Sequence, residues 1–413
     1  MSAKPPTPHS RPDWQTARNI ANRAPARLPA AVVPLADAAA RILANDVAAL
    51  ADVPHYASSA MDGWAVSGDG PWMLVPARPR PVADSAAEPD PSSAQFTATV
   101  LAHGTAALIV TGGLVPAGAD RVVPSERGTV DVGLLAEQSG PVGRDHIRAA
   151  GEEARQGDIV LHRGLRLNPA HIAVAASCGH DELPVRARPR VALVLTGDEV
   201  QLTGIPQPGF VRDSFGVTLP SLIGSLGGEV VSLLRSRDSL ADLLGALRDS
   251  QRGAPTPDLI VTTGGTGASG VDHLHEALRG LGAELLVDRV AMRPGGPSLV
   301  ARLPNGCLLL GLPGNPLAAM VALVVLGHPL LAGCAGEPLP PVSTVVTRDA
   351  LEGRAGAVLL SPYRLIDGQA VLNAFTGSAM MRGLADADGL LVCPAEGAPA
   401  GATLDALPAP WNA

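Results

Sequence analysis

Four glycines stand within seven residues, at 264, 265, 267 and 270, directly after the apolar run Asp258-Leu-Ile-Val261. The stretch Thr262-Thr-Gly-Gly-Thr-Gly-Ala-Ser-Gly270 leads into Val271-Asp-His-Leu-His-Glu-Ala277, so it reads as a strand that breaks into a loop and starts a helix. Such a turn bares backbone N–H groups and suits an anion, typically a phosphate. Asp272 falls in the first turn of that helix, where a phosphate-binding loop often needs an acid to hold a divalent cation. The plainer alternative is a tight strand–helix turn with Asp272 as its cap.

The residues on either side decide the fold class. Val191-Ala-Leu-Val-Leu195 is a continuous apolar run ending at Thr196-Gly-Asp-Glu199, as a buried parallel strand should. Asp213 caps a helix whose apolar residues Phe215, Leu219, Leu222, Ile223 and Leu226 recur at helical spacing, with Pro220 kinking it or absorbed near its start. Glu229-Val-Val-Ser-Leu-Leu234 is the next strand, Ser239 to Leu247 the next helix, and Leu259-Ile-Val261 the strand after it. This alternation predicts a parallel, doubly wound sheet, with ligands outside the carboxyl ends of its strands. Glu199, Asp238 and Asp272 fall at or just after such ends.

Elsewhere the pattern is less regular. The first ten or so residues read as disordered and Trp14 to Asn45 as helical. From Pro54 to about His146 short β-type runs are cut by turns such as Pro76-Ala-Arg-Pro-Arg-Pro81 and Glu88-Pro-Asp-Pro-Ser-Ser93, with Ala106-Ala-Leu-Ile-Val110 and Val130-Asp-Val-Gly-Leu-Leu135 as strands. After Cys334 the chain turns Pro-rich and then β-like from Val342-Ser-Thr-Val-Val346. The expected organisation is an α/β multidomain chain: a discontinuous linking domain of helical and mixed structure (1–53 and 147–188), an inserted β-rich domain (54–146), a doubly wound domain (189–335) and a C-terminal, barrel-like β domain (336–413).

With 413 residues and 46% hydrophobic content the chain can bury real cores, and its net charge of −8 argues against a nucleic-acid partner. Lys4 is the only lysine, so arginine stands wherever else a cation is needed. Cys178, Cys307, Cys334 and Cys393 lie far apart, which argues against a disulfide framework or zinc site and for a reducing cytoplasm. Pro5 to Pro12 is too polar for a signal peptide. Leu317 to Leu331 is shorter than a membrane span and contains His328-Pro329, so it reads as a buried helix or an oligomer face, with no membrane partner.

Four further segments carry candidate chemistry. Ser58-Ser-Ala-Met-Asp-Gly-Trp-Ala-Val66 holds Asp62 before a glycine, a pattern that an ordinary Asp-Gly turn also satisfies. Val110-Thr-Gly-Gly-Leu-Val-Pro-Ala-Gly-Ala-Asp-Arg-Val-Val-Pro-Ser-Glu126 joins a glycine turn to Asp120 and Glu126. Thr196-Gly-Asp-Glu199 sets two carboxylates at a strand end. Leu310-Gly-Leu-Pro-Gly-Asn-Pro-Leu317 places two prolines around Gly-Asn, with Pro316 at a helix start where its missing N–H costs nothing; such a rigid loop presents amides to a ligand with little entropy left to lose.

Taken together and in this order, these segments resemble the molybdopterin molybdenumtransferases of the MoeA and gephyrin E-domain type, from about Trp14 to the C-terminus. The resemblance implies a MogA-like doubly wound domain and a Mg²⁺-dependent transferase that inserts molybdate into adenylylated molybdopterin and releases AMP, completing the molybdenum cofactor. It implies a cytoplasmic, elongated homodimer, with the site between the doubly wound domain of one subunit and the Ser-Ala-Met-Asp-Gly region of the other, and the molybdopterin adenylyltransferase as a partner. By the same resemblance Glu199 and Asp272 are the magnesium ligands, Asp62 and Asp238 are further acids needed for activity, and Thr111 lies in a pterin-binding segment. Pro313 and Pro316, with Gly314 and Asn315, flank the molybdate and pterin region; Asp213, Ser214, Gly264, Gly265, Thr266, Arg293, Pro294 and Gly295 complete the binding set.

The departures also matter. The family's Lys-Pro-Gly-Lys-Pro is Arg293-Pro-Gly-Gly-Pro297, so Gly296 lacks the second cation, and a lysine restored there is expected to tighten molybdate use. Gly-Glu-Asp is Gly151-Glu-Glu153, and Gly-Gly-Val-Ser is Gly264-Gly-Thr-Gly267, as in the adenylyltransferases. The serine and arginine that the family uses near molybdate have no clear counterpart around Ser361-Pro-Tyr-Arg364 and Gly377-Ser-Ala-Met-Met-Arg382. A pterin-binding paralogue that acts as carrier or regulator, and an adenylyltransferase, are the alternative functions.

Overall fold

In a computed structural model, the structure describes residues 11–76, 100–138, 145–253, 255–266 and 273–410. The first ten residues, most of the proline-rich interruptions between Pro76 and Ser93, and the turn from Gly267 to Asp272 therefore lie outside the described residues. The contacts divide the chain into two compact units, Met1–Val32 with Ala40–Ala44 and Pro184–Ala413, and Val33–Ala39 with Asn45–Leu183.

The first unit is built on a six-stranded sheet of β1 (Arg190–Thr196), β2 (Glu229–Ser236), β3 (Leu259–Thr263), β4 (Glu284–Asp288), β5 (Leu299–Arg302) and β6 (Leu308–Leu312), in the order β2-β1-β3-β6-β5-β4. The first four in that order are parallel, as the alternation with helices predicts, and the far edge turns antiparallel through the hairpin of β5 and β6. Strands buried on both faces read as unbroken apolar runs, and β3 and β6 are buried at every residue. Helices α1 (Phe215–Ser225), α2 (Leu240–Gln251), α3 (His273–Gly280) and α4 (Pro316–Ala335) cover the two faces. Leu219, Ile223 and α4 pack with Leu193, Val261 and Leu310 on one face; Leu247, Leu274 and Leu278 pack with Val194, Ile260 and Leu309 on the other.

Helix α4 is longer than its apolar run suggests. Its 20 residues, with mean hydropathy 2.1, pass the length and composition test for a membrane span, but 94% of that window is buried inside the protein, so it is a core helix. A π-helical turn at Leu323–Gly327, where the His328 amide donates to Leu323 O, lets the axis continue into His328–Ala335 past Pro329, which has no N–H to place.

The N-terminal expectation is corrected. Only Trp14–Arg23 is helical, capped by Asp13 through the Thr16 amide; Ala30–Pro34 is a strand and Leu35–Asp37 a 3₁₀ turn. Pro25, Pro29 and Pro34 remove N–H donors along this stretch, and Ala30–Pro34 instead pairs with Glu182–Arg186. The C-terminal segment forms a sheet of Val358–Ile366, Gly389–Cys393, Thr403–Pro408 and Ser343–Val346, with Gln369–Leu372 beside the first, and its Leu360, Leu390 and Leu407 join the core around α4. Met292–Arg293 forms the opposite edge of this sheet, parallel to Val358–Leu359.

The second unit carries a six-stranded sheet in the order Arg121–Pro124, Gly63–Val66, Thr105–Ile109, Trp72–Val75, Leu134–Glu137, Gly128–Asp131. Val130 to Leu135 is not one strand but the tip of a hairpin, because Val132 and Gly133 both take positive φ, at 45° and 80°. A valine in that position hides a turn that Asn-Gly would announce. All four cysteines are free and buried.

Leu310, fully buried in β6, faces the core around α4. Leu310→Ala is expected to cost about 2–5 kcal/mol of stability, measured as a lowered urea midpoint by circular dichroism.

Candidate functional site

The chain passes from β1 to β2 on one side and then to β3 on the other, so the crevice between the carboxyl ends of β1 and β3 is the topological switch point of the sheet. Four loops leave there. The Asp198 amide donates to Asp238 Oδ2 at 3.1 Å, joining the ends of β1 and β2. The Thr196 hydroxyl donates to the Thr263 carbonyl, and the Gly264 amide donates to Leu312 O at 2.9 Å, joining β1, β3 and β6.

Gly264 and Gly265 take φ of 80° and 67°, the left-handed region that favours glycine. A Cβ on Gly264 would lie 2.5 Å from Thr196 Oγ1, and one on Gly314 3.6 Å from the Gly264 Cα. Gly264 is thus crowded by the end of β1 and in ordinary contact with Gly314. Thr266 is buried, and the hydroxyls of Thr262 and Thr263 are buried without a hydrogen-bond partner among the described residues.

Glu199 and Asp238 are exposed at the strand ends where the alternating pattern puts them. Among the described residues no group of three or more acids, histidines or cysteines converges on one point, and Asp272 lies outside those residues. The donor chemistry nonetheless fits Mg²⁺, which takes hard oxygen ligands and commonly keeps several waters with one or two carboxylates and substrate phosphate.

Asp213 is buried and both its oxygens are occupied: Oδ1 accepts from the Gly216 amide at 2.9 Å and Oδ2 from Arg235 Nη2 at 2.5 Å. Burial works to raise this carboxyl, but the Gly216 amide and the Arg235 guanidinium outweigh it and hold the group below the usual range. Ser214 is the N-cap residue of α1 without a side-chain cap bond; its carbonyl accepts from the Thr218 amide and hydroxyl.

Arg293 is exposed on the edge strand Met292–Arg293 and is followed by Pro294 and Gly295, whose φ is 96°. The turn closes tightly, with the Val290 amide donating to Gly296 O at 2.8 Å and the Ser298 hydroxyl to Gly295 O at 2.6 Å. A Cβ on Gly296 would sit 2.7 Å from Met292 O and 3.2 Å from Val290 O, both backbone atoms. Position 296 therefore has no room for a side chain without moving the turn, so a restored lysine must first displace it.

Pro313 is buried at the end of β6, Gly314 and Asn315 are exposed, and Pro316 opens α4. Asn315 Nδ2 donates to Ser378 Oγ at 3.3 Å, and the Ala318 amide donates to Ser378 O at 3.1 Å. The loop is therefore braced by the C-terminal segment, a relation that sequence reasoning missed because 63 residues separate Asn315 from Ser378. Arg382 lies over the Phe375 ring at 4.5 Å in the same segment, while Arg364 is exposed on Val358–Ile366.

In the second unit, two motifs 49 residues apart meet, where the Thr111 amide donates to Asp62 Oδ1 at 2.6 Å. Hydrogen bonds from the Thr111 amide and side chain hold this exposed carboxyl below the usual range. Gly63 must be glycine, because a Cβ there would lie 2.0 Å from Val123 O. Asp120 accepts from the Gly68 amide, which makes it a turn residue.

Two outcomes follow. Asp213 has a lowered folded-state pKa, so its contribution to stability is complete above the ordinary carboxylate value of about 3.9 and is lost as the pH falls through the lowered value; Asp213→Asn is expected to flatten this acid limb in denaturation measured from pH 7 to pH 2. Gly296→Lys is expected to cost about 1–3 kcal/mol, read as a lower melting temperature.

Residues 13–179 match the family model described as the MoeA N-terminal region (domain I and II), and residues 192–333 match a probable molybdopterin binding domain. The molybdopterin molybdenumtransferase 2 of Mycobacterium tuberculosis is 35% identical over 379 residues, 88% of this chain and 90% of that protein. The molybdopterin molybdenumtransferase of Synechococcus elongatus is 34% identical over 326 residues, 77% of this chain and 79% of that protein. The molybdopterin biosynthesis protein moeA of Pyrococcus horikoshii shares the fold, with a TM-score of 0.76 over 97% of this chain and all of that one, at 19% identity. The chain belongs to the molybdopterin molybdenumtransferase family.

Proposed function

We propose that this chain inserts molybdate into adenylylated molybdopterin and releases AMP in a Mg²⁺-dependent reaction. The observation that carries the reading is the meeting of the loops after β1, β3 and β6 at Gly264, where backbone approaches so closely that a side chain would strike Thr196. A glycine-rich sequence between a strand and a helix suits the phosphates of an adenylylated substrate. Glu199 and Asp272 would hold the magnesium ion. When bound, that ion would offset charge on the phosphoanhydride being cleaved.

The chain's own groups serve position and charge. Arg293 offers an exposed cation to the molybdate dianion, and its planar fork prefers a bidentate partner. Asn315, tied to Ser378, keeps the Pro313–Pro316 loop in one shape. Asp62, oriented by the Thr111 amide, would act across a homodimer on the partner's doubly wound domain. We place the reaction in the cytoplasm, with the molybdopterin adenylyltransferase supplying the substrate. The closed turn at Gly296 favours one competing reading, a paralogue that binds the pterin without inserting metal.

The test is AMP release by the purified protein with adenylylated molybdopterin, Mg²⁺ and molybdate. Glu199→Gln and Asp272→Asn are each expected to slow it by about two orders of magnitude, the scale of one preorganised electrostatic contact; near-normal turnover in either overturns the ligand assignment. Subunits carrying Asp62→Ala, mixed and exchanged with subunits carrying Glu199→Gln, are expected to regain part of the activity, and a mixture that stays inactive overturns the shared site. A wild type that binds the pterin but never releases AMP assigns the paralogue instead.

A further inference from the structure

We infer that Arg235 is a positioning residue for Glu199, acting through Asp213; the inference rests on the reading of Glu199 as a magnesium ligand. Glu199 opens a loop that stays in contact with the rest of its unit through a short ribbon. Val200–Gln201 pairs in parallel with Val211–Arg212. The Val211 amide donates to Glu199 O at 2.9 Å and the Asp213 amide to Gln201 O at 2.9 Å. Two residues a side cannot hold such a ribbon by themselves, and the loop it closes exposes Leu202, Ile205 and Phe210. Its orientation must come from an anchor.

Asp213 is that anchor. Its side chain is 6% exposed, one oxygen accepts from the amide of Gly216 in the first turn of α1, and the other meets Arg235 at 2.5 Å. Gly216 makes the arrangement sterically possible, since a Cβ there would lie 2.3 Å from Asp213 Oδ2 and 2.6 Å from Arg235 Nη2. Arg235 stands on β2 in register with Leu195, one residue before Thr196 on β1. The guanidinium thus ties the far end of the ribbon to the sheet at the level where Glu199 leaves it. On the near side the Asp198 amide is held by Asp238, three residues beyond Arg235. Both fasteners of the Glu199 segment therefore come from the end of β2. Removing Arg235 leaves the buried carboxylate with the Gly216 amide as its hydrogen-bond partner and Arg212, on the ribbon itself, as its nearby charge, so the tie to the sheet is lost and the ribbon is free to tilt, which moves Glu199 without touching it.

The experiment uses Mn²⁺ as the probe ion in the presence of AMP, with bound Mn²⁺ followed by electron paramagnetic resonance. Arg235→Ala is expected to weaken Mn²⁺ binding about tenfold, the lower end of what loss of an outer-shell contact does to a metal site. The Mg²⁺ concentration for half-maximal AMP release should rise by the same factor, with the rate at saturating Mg²⁺ changed less than about twofold. Hydrogen exchange at the Val211 and Asp213 amides should quicken, and Arg235→Lys should restore most of the affinity. If Arg235→Ala does not fold, Gly216→Ala, which drives a methyl into the ion pair, serves in its place with the same expected loss. Unchanged Mn²⁺ affinity in Arg235→Ala, or in Gly216→Ala where that stands in, overturns the inference while leaving Glu199 as a ligand. A wild-type protein that binds no Mn²⁺ overturns both.

Discussion

β3 is buried at every residue from Leu259 to Thr263 and is bonded along its whole length to β1 on one side and β6 on the other. A central parallel strand of this kind leaves its N–H and C=O groups no access to water, so the neighbours must be in register and apolar throughout. Its start is fixed by charge as well, since Asp258 accepts the Arg190 amide and both arms of its guanidinium at 2.9 and 3.0 Å. Where β3 stops, the three strands stop together, and their loops are forced into one crevice.

That forced meeting explains the glycines. At Gly264 the Thr196 side chain occupies the place of a Cβ, and the backbone must turn with positive φ to leave the sheet. Just before it the Thr262 and Thr263 hydroxyls are buried without a hydrogen-bond partner among the described residues. The site region is held by polar ties: Asp198 to Asp238, Asp213 to Arg235, and Asn315 to Ser378.

Much of the doubly wound fold was legible because each buried strand is a short apolar run followed by turn residues. Val191–Leu195, Glu229–Leu234 and Leu259–Val261 each extend by one or two residues in the structure, as end fraying and hydrogen-bond criteria make usual. Ser239 caps α2 through the Asp242 amide as its type suggests. The failures have equally local causes. Trp14 to Asn45 contains helix-favouring alanine and leucine, but prolines at 25, 29 and 34 and a strand partner about 150 residues away override them. Val132-Gly133 turns although a β-branched valine stands at the first position of positive φ.

The sequence by itself determined the alternation of strands and helices from Val191 to Val261, the glycine-rich stretch after it and the acids at strand ends, because these depend on spacing and residue type along a continuous stretch, and its motifs in their order carried the family resemblance. Only the tertiary structure decided which of the distant motifs touch: Asp62 with Thr111, Asn315 with Ser378, Asp213 with Arg235. It also decided that Gly296 is packed against backbone and does not stand open for a lysine. The physical reason is that hydrogen-bond and steric complementarity act over a few ångströms between segments far apart in the chain, and no periodicity in either segment records the other.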